Sequence, residues 1–239
     1  MFKLYASCDP VYLRDHAPTL IASAAEANNN LHIHIINGEG EEIRFMDSLR
    51  QKWERMTDAH LSYTWAAQFA PSHNSSEQRT IFACDRFVTV ADVLQRGDRN
   101  SYLIIDVDCL IMKHIEEPSK SIGLFLRAPL PGSVGWENEG SKIAAGAVYY
   151  HQSAAPFAKQ VAERIRKGPH AWFLDQIALN ETYELNRHKY TFEKFTPEFM
   201  DWEFIDGTTI WTGKGPRKYN NPKYVAKKNE FNGKMIARF

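Results

Sequence analysis

The chain has 239 residues, and at roughly 150 residues per domain this length predicts one domain, or one domain with a small appendage. Apolar residues make up 44% of the chain and aromatic residues 13%, which is enough for a buried core and excludes a disordered chain. Lys and Arg total 29 and Asp and Glu total 29, so the formal net charge is 0, which argues against a globally basic protein that binds nucleic acid.

The first half of the chain alternates strand and helix patterns. A short buried strand is predicted over residues 2–6, and a helix follows with Asp15 at its N-cap and Pro18 in its first turn. Leu31–Ile36 is β-branched and alternating, which predicts a second strand, and apolar residues over 43–56 recur at helical spacing. This order of strand, helix, strand and helix predicts an α/β fold with mostly parallel strands.

The rest of the chain continues the alternation less regularly. Residues 68–79 have a loop composition, and residues 81–94 read as a helix. Ser101–Ile105 is apolar throughout and predicts a central strand covered on both faces. Further strands are predicted over 122–126, 143–150, 190–195 and 208–211, with helices around 157–165 and 175–185. The less regular helices in this half predict a mixed sheet.

Cysteine content and hydropathy bear on location. Three cysteines without metal-type spacing argue for a reducing compartment and against a disulfide framework. No apolar run reaches the roughly 18 residues of a membrane span, and the apolar stretch after Lys3 is too short for the hydrophobic region of a signal peptide. The sequence therefore predicts a soluble, cytoplasmic protein.

The charge is unevenly distributed along the chain. Residues 214–239 carry eight basic side chains against one acid, whereas residues 1–213 carry 21 basic and 28 acidic ones. A cationic end on an acidic body suits an anionic small ligand or an anionic surface, and it is equally compatible with a solvated basic tail.

The most informative segment is YLIIDVDCLIM, residues 102–112. Asp106 and Asp108 follow a predicted buried strand, at the end where ligands bind in open α/β sheets. Two nearby carboxylates repel each other unless one is protonated or a cation lies between them, and Mg²⁺ or Mn²⁺ prefers such oxygen ligands. The alternative is a strand that ends in acidic turn residues. Apolar residues on both sides of the pair favour the metal site, because few buried segments carry two acids without a reason.

This segment resembles the D-x-D segment of nucleotide-sugar-dependent glycosyltransferases of the GT-A fold, most closely family 8, the glycogenin and galactosyltransferase-like group. Further segments follow in that family's order along the chain. They are residues 4–12 (LYASCDPVY), 81–94 (IFACDRFVTVADVL), 142–151 (KIAAGAVYYH), 175–180 (DQIALN) and 212–218 (TGKGPRK). The resemblance implies a single-domain GT-A fold over 1–218, followed by a basic extension over 219–239 that either packs or serves the acceptor.

The resemblance also assigns roles to individual residues. It implies Asp106 and Asp108 as ligands of Mn²⁺ or Mg²⁺, and Asp175 and Gln176 as the residues at the transferred sugar. Contacts to the nucleotide donor are implied for Ser7, Asp9, Tyr12, Arg86, Asp106, Val107, Lys214, Gly215 and Lys218. Tyr12 is expected either to stack on the base or to be a core aromatic. Arg86 shares a predicted helix face with apolar residues, so its charge is either directed to solvent or aimed into a site.

Two residues depart from the family pattern. Thr212 stands where the family has a metal-binding His, and Ala144 stands where it has an Asn that contacts the sugar or the acceptor. Thr offers a hydroxyl in place of an imidazole, so a lower metal affinity is expected, or a position filled by water or by the diphosphate.

The predicted reaction is transfer of a sugar from a nucleotide diphosphate donor, with UDP expected, to an acceptor hydroxyl with retention. The metal and the basic loop would stabilise charge on the leaving diphosphate. Two alternatives stay open: a non-catalytic nucleotide-sugar-binding module, and a sugar nucleotidyltransferase. The latter should carry a Gly-rich, basic loop after the first strand, and residues 7–10 have neither Gly nor Lys. The mobile loop expected over 132–140 offers Trp136 either as a sugar platform or as a buried side chain, and His32 and His34 are interpreted as core or surface histidines.

Overall fold

The computed structural model describes residues 1–66, 75–128, 142–213 and 215–236. The helices are α1 (Pro10–Asp15), α2 (Ala17–Glu26), α3 (Gly40–Trp53), α4 (Ser75–Gln95), α5 (Ala155–Lys167), α6 (Leu174–Asn186), α7 (Arg217–Asn220) and α8 (Pro222–Ile236). The strands are β1 (Phe2–Cys8), β2 (Leu31–Ile36), β3 (Leu61–Ala66), β4 (Ser101–Ile105), β5 (Leu110–Ile111), β6 (Ile122–Leu126), β7 (Ile143–Tyr150), β8 (Phe192–Lys194), β9 (Met200–Asp201) and β10 (Ile210–Trp211).

Within the described residues, seven strands form one sheet in the order β3-β2-β1-β4-β7-β6-β8. Parallel pairs join β1 to β2, β2 to β3 and β6 to β8, whereas β6 and β7 are antiparallel. A smaller sheet of the same described part has the order β5-β10-β9. The predicted α/β fold with a mixed, mostly parallel sheet is confirmed.

The chain divides into two compact units. The first unit comprises Met1–Phe2, Ala70–Ile104 and Glu117–Phe195, and the second comprises Lys3–Phe69, Ile105–Glu116 and Thr196–Phe239. The domain boundary at residue 218 that the sequence suggested stays a prediction.

In the first unit, α4 packs against α5, and α5 packs against α6. Strand β7 is buried along nearly its whole length, because both of its faces are covered. Tyr150 lies fully inside, with its ring against the buried Phe157 of α5 at a centroid distance of 5.9 Å. Truncating Phe157 to Ala would cost about 3–5 kcal/mol, as is usual for a fully buried aromatic residue.

In the second unit, α2 is buried on nearly all of its faces. Its residues Leu20 and Ile21 are fully enclosed, and each contributes about 1.5–3 kcal/mol by leaving water. Helix α8 packs against α2, where the Thr19 hydroxyl donates to Asn232 Oδ1 at 2.6 Å. Most of the extension expected after residue 218 is therefore a helix that helps to close this core.

The start of the first helix differs from the sequence prediction. The Asp9 side chain, and not that of Asp15, caps a helix here, since Asp9 Oδ1 accepts the Tyr12 N–H at 2.8 Å. Pro10 occupies the first helical position, where its missing N–H costs nothing. Asp15 is the last residue of α1, and α2 begins directly after His16.

Other differences concern element bounds. Helix α4 begins at Ser75, so the predicted loop over 68–79 is wrong for its last five residues, and residues 68–74 of that loop lie outside the described residues. Strand β3 has no counterpart in the sequence prediction. The expected loop over 132–140, with Trp136, also lies outside the described residues.

The histidines of β2 bond to hydroxyl groups of β3. His32 contacts the Ser62 and Thr64 hydroxyls at 2.9 and 3.0 Å, and His34 contacts Thr64 at 2.8 Å.

Among the described residues, no helix is both long enough and apolar enough to span a bilayer.

Candidate functional site

The acidic segment after β4 folds into a tight turn that gathers three side chains with ligand atoms. The Cys109 N–H donates to the Asp106 carbonyl at 3.1 Å and closes the turn. The carboxylates of Asp106 and Asp108 and the Cys109 sulfur consequently lie within 4.8 Å of one another. Asp108 is buried and Asp106 half-buried. Because two carboxylates this close repel each other unless a cation compensates them, the turn is a candidate cation site.

Lys218 of α7 supplies one cation from the chain itself. Its Nζ lies 2.7 Å from Asp108 Oδ2, and the two side chains are only 7% and 11% exposed. The same ammonium donates to the Tyr12 hydroxyl at 3.1 Å. Burial alone would lower the pKa of Lys218, but the charge of Asp108 and the hydrogen bond to it outweigh burial and raise that pKa. Lys218 is therefore a cation held against one of the two predicted metal ligands.

Close backbone packing fixes the position of Asp108. A Cβ on Gly213 would lie 3.0 Å from both Asp108 Cγ and the Asp108 carbonyl oxygen, and 3.1 Å from Lys218 Cβ. Glycine at this position lets the chain pass directly over the ion pair. On another side, the buried Tyr224 hydroxyl donates to the Asp108 carbonyl at 2.5 Å. Nothing in the local sequence pattern points to Tyr224, which lies in the basic C-terminal segment.

Two tyrosines flank the Lys218 ammonium. Its Nζ lies 4.7 Å from the centroid of the Tyr12 ring and 5.4 Å from that of Tyr219. Both rings keep exposed surface, 38% for Tyr12 and 61% for Tyr219. Of the two expectations for Tyr12, the exposed surface therefore favours a ring available for stacking over a core aromatic. Asp9 contributes by capping α1, the helix that carries Tyr12.

The Thr212 side chain contacts Cys109, the cysteine of the turn, and forms a hydrogen bond with the Cys109 sulfur. Burial raises the pKa of the Cys109 thiol well above its ordinary value, and the charges of Asp106 and Asp108 raise it further. A thiol that keeps its proton is a poor ligand, so the donor set for a cation is chiefly the two carboxylates. Such a set fits hard cations such as Mg²⁺ or Mn²⁺.

Four further residues of the second unit were predicted to contact the nucleotide donor: Ser7, Val107, Lys214 and Gly215. Ser7 and Val107 are buried at the ends of β1 and β4, with 8% and 5% of their surface exposed. Gly215 is exposed and adopts a left-handed backbone, with φ of +59°. Lys214 lies outside the described residues.

A buried histidine that the sequence prediction missed lies beside this cluster. His16 is 2% exposed, and its Nδ1 accepts a hydrogen bond from the Lys228 ammonium at 3.3 Å. Burial lowers the pKa of His16 to about 3, and the nearby charges of Lys228 and Lys218 act in the same direction against Asp15. The ring is therefore neutral, and because an ammonium only donates, its proton sits on Nε2.

Most other basic residues of the C-terminal segment are paired on the surface. Arg217 lies 2.6 Å from Glu203, and Lys223 lies 2.9 Å from Asp206. Lys227 pairs with Glu230, and Lys234 pairs with Glu26 and Glu230. The charges of these four described residues are thus compensated at the surface, while Lys218 and Lys228 point inward.

In the first unit, Arg86 and Asp175 form a second buried pair. Arg86 Nη2 lies 3.5 Å from Asp175 Oδ2 and donates to the Ala145 carbonyl at 3.1 Å. The side chains are 6% and 11% exposed. Asp175 Oδ1 accepts the Gln176 N–H at 2.8 Å, so both oxygens of this carboxylate are engaged. The Arg86 guanidinium is therefore buried and not directed to solvent, while its contact with a donor stays a prediction.

Gln176 is held by a residue that the sequence prediction missed, Arg127. Arg127 Nη2 lies 3.0 Å from Gln176 Oε1. Since a guanidinium only donates, the amide oxygen must face Arg127 and the Gln176 NH₂ group must face away from it. A basic residue directly after the predicted strand 122–126 is the one local signal that pointed to Arg127.

Comparisons by sequence give no assignment: no family model and no curated protein matches the chain.

Solved structures do resemble it. The glycosyltransferase GlyE of Streptococcus pneumoniae TIGR4 superposes with a TM-score of 0.62 and 10% identity, over 97% of this chain and 61% of GlyE. The apo-form of GlyE gives a TM-score of 0.58 at 10% identity, over 99% and 63%. The bifunctional glycosyltransferase WbbM in its apo structure gives 0.61 at 11% identity, over 99% and 51%.

The chain thus spans about three fifths of GlyE and half of WbbM. At this identity the likeness shows the fold alone: an α/β fold that matches glycosyltransferases of the GT-A type.

Proposed function

We propose that the chain is a glycosyltransferase that moves a sugar from a nucleotide diphosphate donor, with UDP expected, to an acceptor hydroxyl. The observation that carries the proposal is the turn with Asp106 and Asp108, paired with the buried ammonium of Lys218. Two acids and a cation side by side support this proposal, because a metal and a diphosphate need protein groups of opposite charge. The fold shared with GlyE and WbbM supports the same reading.

The chemistry that this site can supply is stabilisation of a leaving group. As the glycosidic bond breaks, negative charge grows on the nucleoside diphosphate, and Lys218 would take up part of that charge. Mn²⁺ or Mg²⁺ held by Asp106 and Asp108 would supply Lewis-acid stabilisation of the same oxygens. Lys214 and Gly215 belong to the loop that we propose to cover the diphosphate.

The base and ribose of the donor are assigned to the segment around β1. Tyr12 offers an exposed ring for stacking, and Ser7, Asp9 and Val107 complete the proposed contacts. We propose a cytoplasmic location as well, in keeping with the three buried thiols of Cys8, Cys84 and Cys109.

Asp175 and Gln176 are proposed to contact the transferred sugar, and Arg86 is proposed to contact the nucleotide-sugar donor. Both oxygens of Asp175 are already engaged, so we assign it an electrostatic role at the reacting carbon and no attack on it. Gln176 would act as a hydrogen-bond donor, since its amide oxygen is held by Arg127. We propose transfer with retention, which the family resemblance implies, and without a covalent protein intermediate, because the oxygens of Asp175 are engaged.

Release of nucleoside diphosphate tests the proposal. UDP-, GDP- and dTDP-linked sugars are incubated with the protein in Mn²⁺ or in EDTA, and turnover is followed over many hours. Asp108→Ala should abolish release, whereas Asp206→Ala should not, because Asp206 pairs with Lys223 on the surface and is 82% exposed. Turnover of any donor that Asp108→Ala leaves intact would contradict the proposed site.

A non-catalytic nucleotide-sugar-binding module is the second candidate. It is favoured by Thr212, which the family resemblance aligns with a metal-binding His and which forms a hydrogen bond with Cys109. This candidate predicts saturable binding of a UDP-sugar with no release of UDP in the same assay.

A further inference from the structure

The buried pair of Lys218 and Asp108 bears on how a metal ion enters the site. The ammonium lies 2.7 Å from Asp108 Oδ2 and is also held by the Tyr12 hydroxyl. With only 7% of the Lys218 side chain exposed, water screens its charge weakly. One of the two carboxylates that would hold a metal is therefore already neutralised from within the chain.

A divalent cation at the turn would lie close to this ammonium. The ligand atoms of Asp106, Asp108 and Cys109 span less than 4.8 Å, so any ion bound among them shares the carboxylate that Lys218 occupies. Two cations at such a distance repel strongly in a buried site.

An anion between the two cations removes this conflict. A diphosphate has enough oxygens to bind a divalent ion with some and an ammonium with others. When such a group is present, Lys218 can exchange the carboxylate for a phosphate oxygen, and Asp108 becomes available to the metal.

We propose that Lys218 is an internal counter-cation of Asp108 that couples metal binding to diphosphate binding. Without a nucleoside diphosphate the lysine keeps the metal affinity low, and with one the metal and the diphosphate bind together. This inference rests on the proposed function, because it concerns the same site.

Metal affinity measured without any turnover tests the coupling. Mn²⁺ is titrated into the full chain by calorimetry or followed by the electron paramagnetic resonance signal of free Mn²⁺, in the absence and presence of saturating UDP. We expect wild-type protein to bind Mn²⁺ at least tenfold more tightly with UDP than without it. Lys218→Gln should bind Mn²⁺ at least tenfold more tightly than wild type when UDP is absent.

Lys223→Gln is the matched control, since Lys223 belongs to the same basic segment but pairs with Asp206 on the surface. It should behave as wild type in both titrations. Equal Mn²⁺ affinity of wild type and Lys218→Gln without UDP would overturn the coupling, as would absence of Mn²⁺ binding in both proteins. If Lys218→Gln does not fold, the wild-type titrations decide alone: a ratio below threefold with and without UDP overturns the inference.

The outcomes separate this inference from the proposed function. UDP binding that needs no Mn²⁺ and leaves Mn²⁺ affinity unchanged would remove the coupling but keep a nucleotide site. Failure of UDP to bind under any condition would remove the proposed function, and the comparison of Mn²⁺ affinities without UDP would still report on Lys218.

Discussion

Gly213→Ala tests whether the packing over Asp108 is as tight as described. The added Cβ would meet three heavy atoms of Asp108 and Lys218 at 3.0–3.1 Å, whereas carbon contacts are favourable at about 3.5–4.0 Å. Asp108 and Lys218 must therefore move by roughly half an ångström, at a cost of about 1–3 kcal/mol for an overpacked site. For a chain of this size this corresponds to a fall in Tm of roughly 2–12 °C.

Gly233→Ala is the matched control for this prediction. Gly233 lies in α8, and a Cβ there would have no neighbour within 4 Å, so Ala should leave stability unchanged or raise it by about 0.5–1 kcal/mol. Thermal unfolding followed by circular dichroism measures both variants. Since the displaced atoms belong to Asp108 and Lys218, Gly213→Ala should also weaken binding of UDP with Mn²⁺ at least severalfold. A Tm within 1 °C of wild type together with unchanged UDP affinity would refute the described packing.

Three further predictions concern buried charges. Replacing Asp108 by Asn leaves Lys218 buried without its carboxylate and should lower the unfolding free energy by about 3–5 kcal/mol. The double variant with Lys218→Met should recover part of that loss. If the losses of the two single variants simply add in the double variant, the buried pair is disproved. The pKa of His16 is lowered to about 3 in the folded protein. Between about pH 6 and 3 the unfolded state therefore binds one more proton than the native state. The unfolding free energy should fall by about 1.4 kcal/mol for each pH unit of acidification in this range. Chemical denaturation at pH 7, 5 and 4 should show a smaller fall for His16→Phe, and an identical pH profile would contradict the neutral buried ring. Arg86→Met leaves Asp175 buried without its cation and should lower the unfolding free energy by about 3–5 kcal/mol in urea denaturation, while a loss below about 1 kcal/mol would show that the pair is not buried as described.

Strands with a strong local pattern were predictable from the sequence. Leu31–Ile36, Ser101–Ile105 and Ile143–Tyr150 have the same bounds in the prediction and in the structure, because β-branched or apolar residues predominate in each of them. Strand β3 was missed because it is half-exposed and carries Ser62 and Thr64 among its residues. An edge strand of this kind lacks the apolar signal that marks a central one.

Helix starts were less predictable, because two signals compete in the same stretch. The prediction took Asp15 as the N-cap because Pro18 and apolar residues follow it, although Asp9 directly precedes Pro10. The structure selects Asp9 through its hydrogen bond to the Tyr12 N–H. Local composition could not decide this, since the bend at His16 depends on how α1 and α2 pack.

The candidate site was predictable where its residues are neighbours in the chain. Asp106 and Asp108 could be paired from the sequence, since a single residue, Val107, separates them. Lys218 joins them from 110 positions away, and although resemblance assigned it to the donor diphosphate, its contact with Asp108 has no local signal. The same holds for Tyr224 and His16, whose roles arise from tertiary packing alone.

Binding of UDP in the presence of Mn²⁺ tests the central claim most directly, because it requires the acidic turn and Lys218 but no acceptor. Calorimetric titration of the full chain should show saturable binding at one site. Asp108→Ala should weaken this binding at least tenfold, while Asp206→Ala, which removes an exposed surface carboxylate, should leave it unchanged. Absence of binding by wild type with UDP, GDP and dTDP alike, or equal UDP affinity of wild type and Asp108→Ala, would contradict the account.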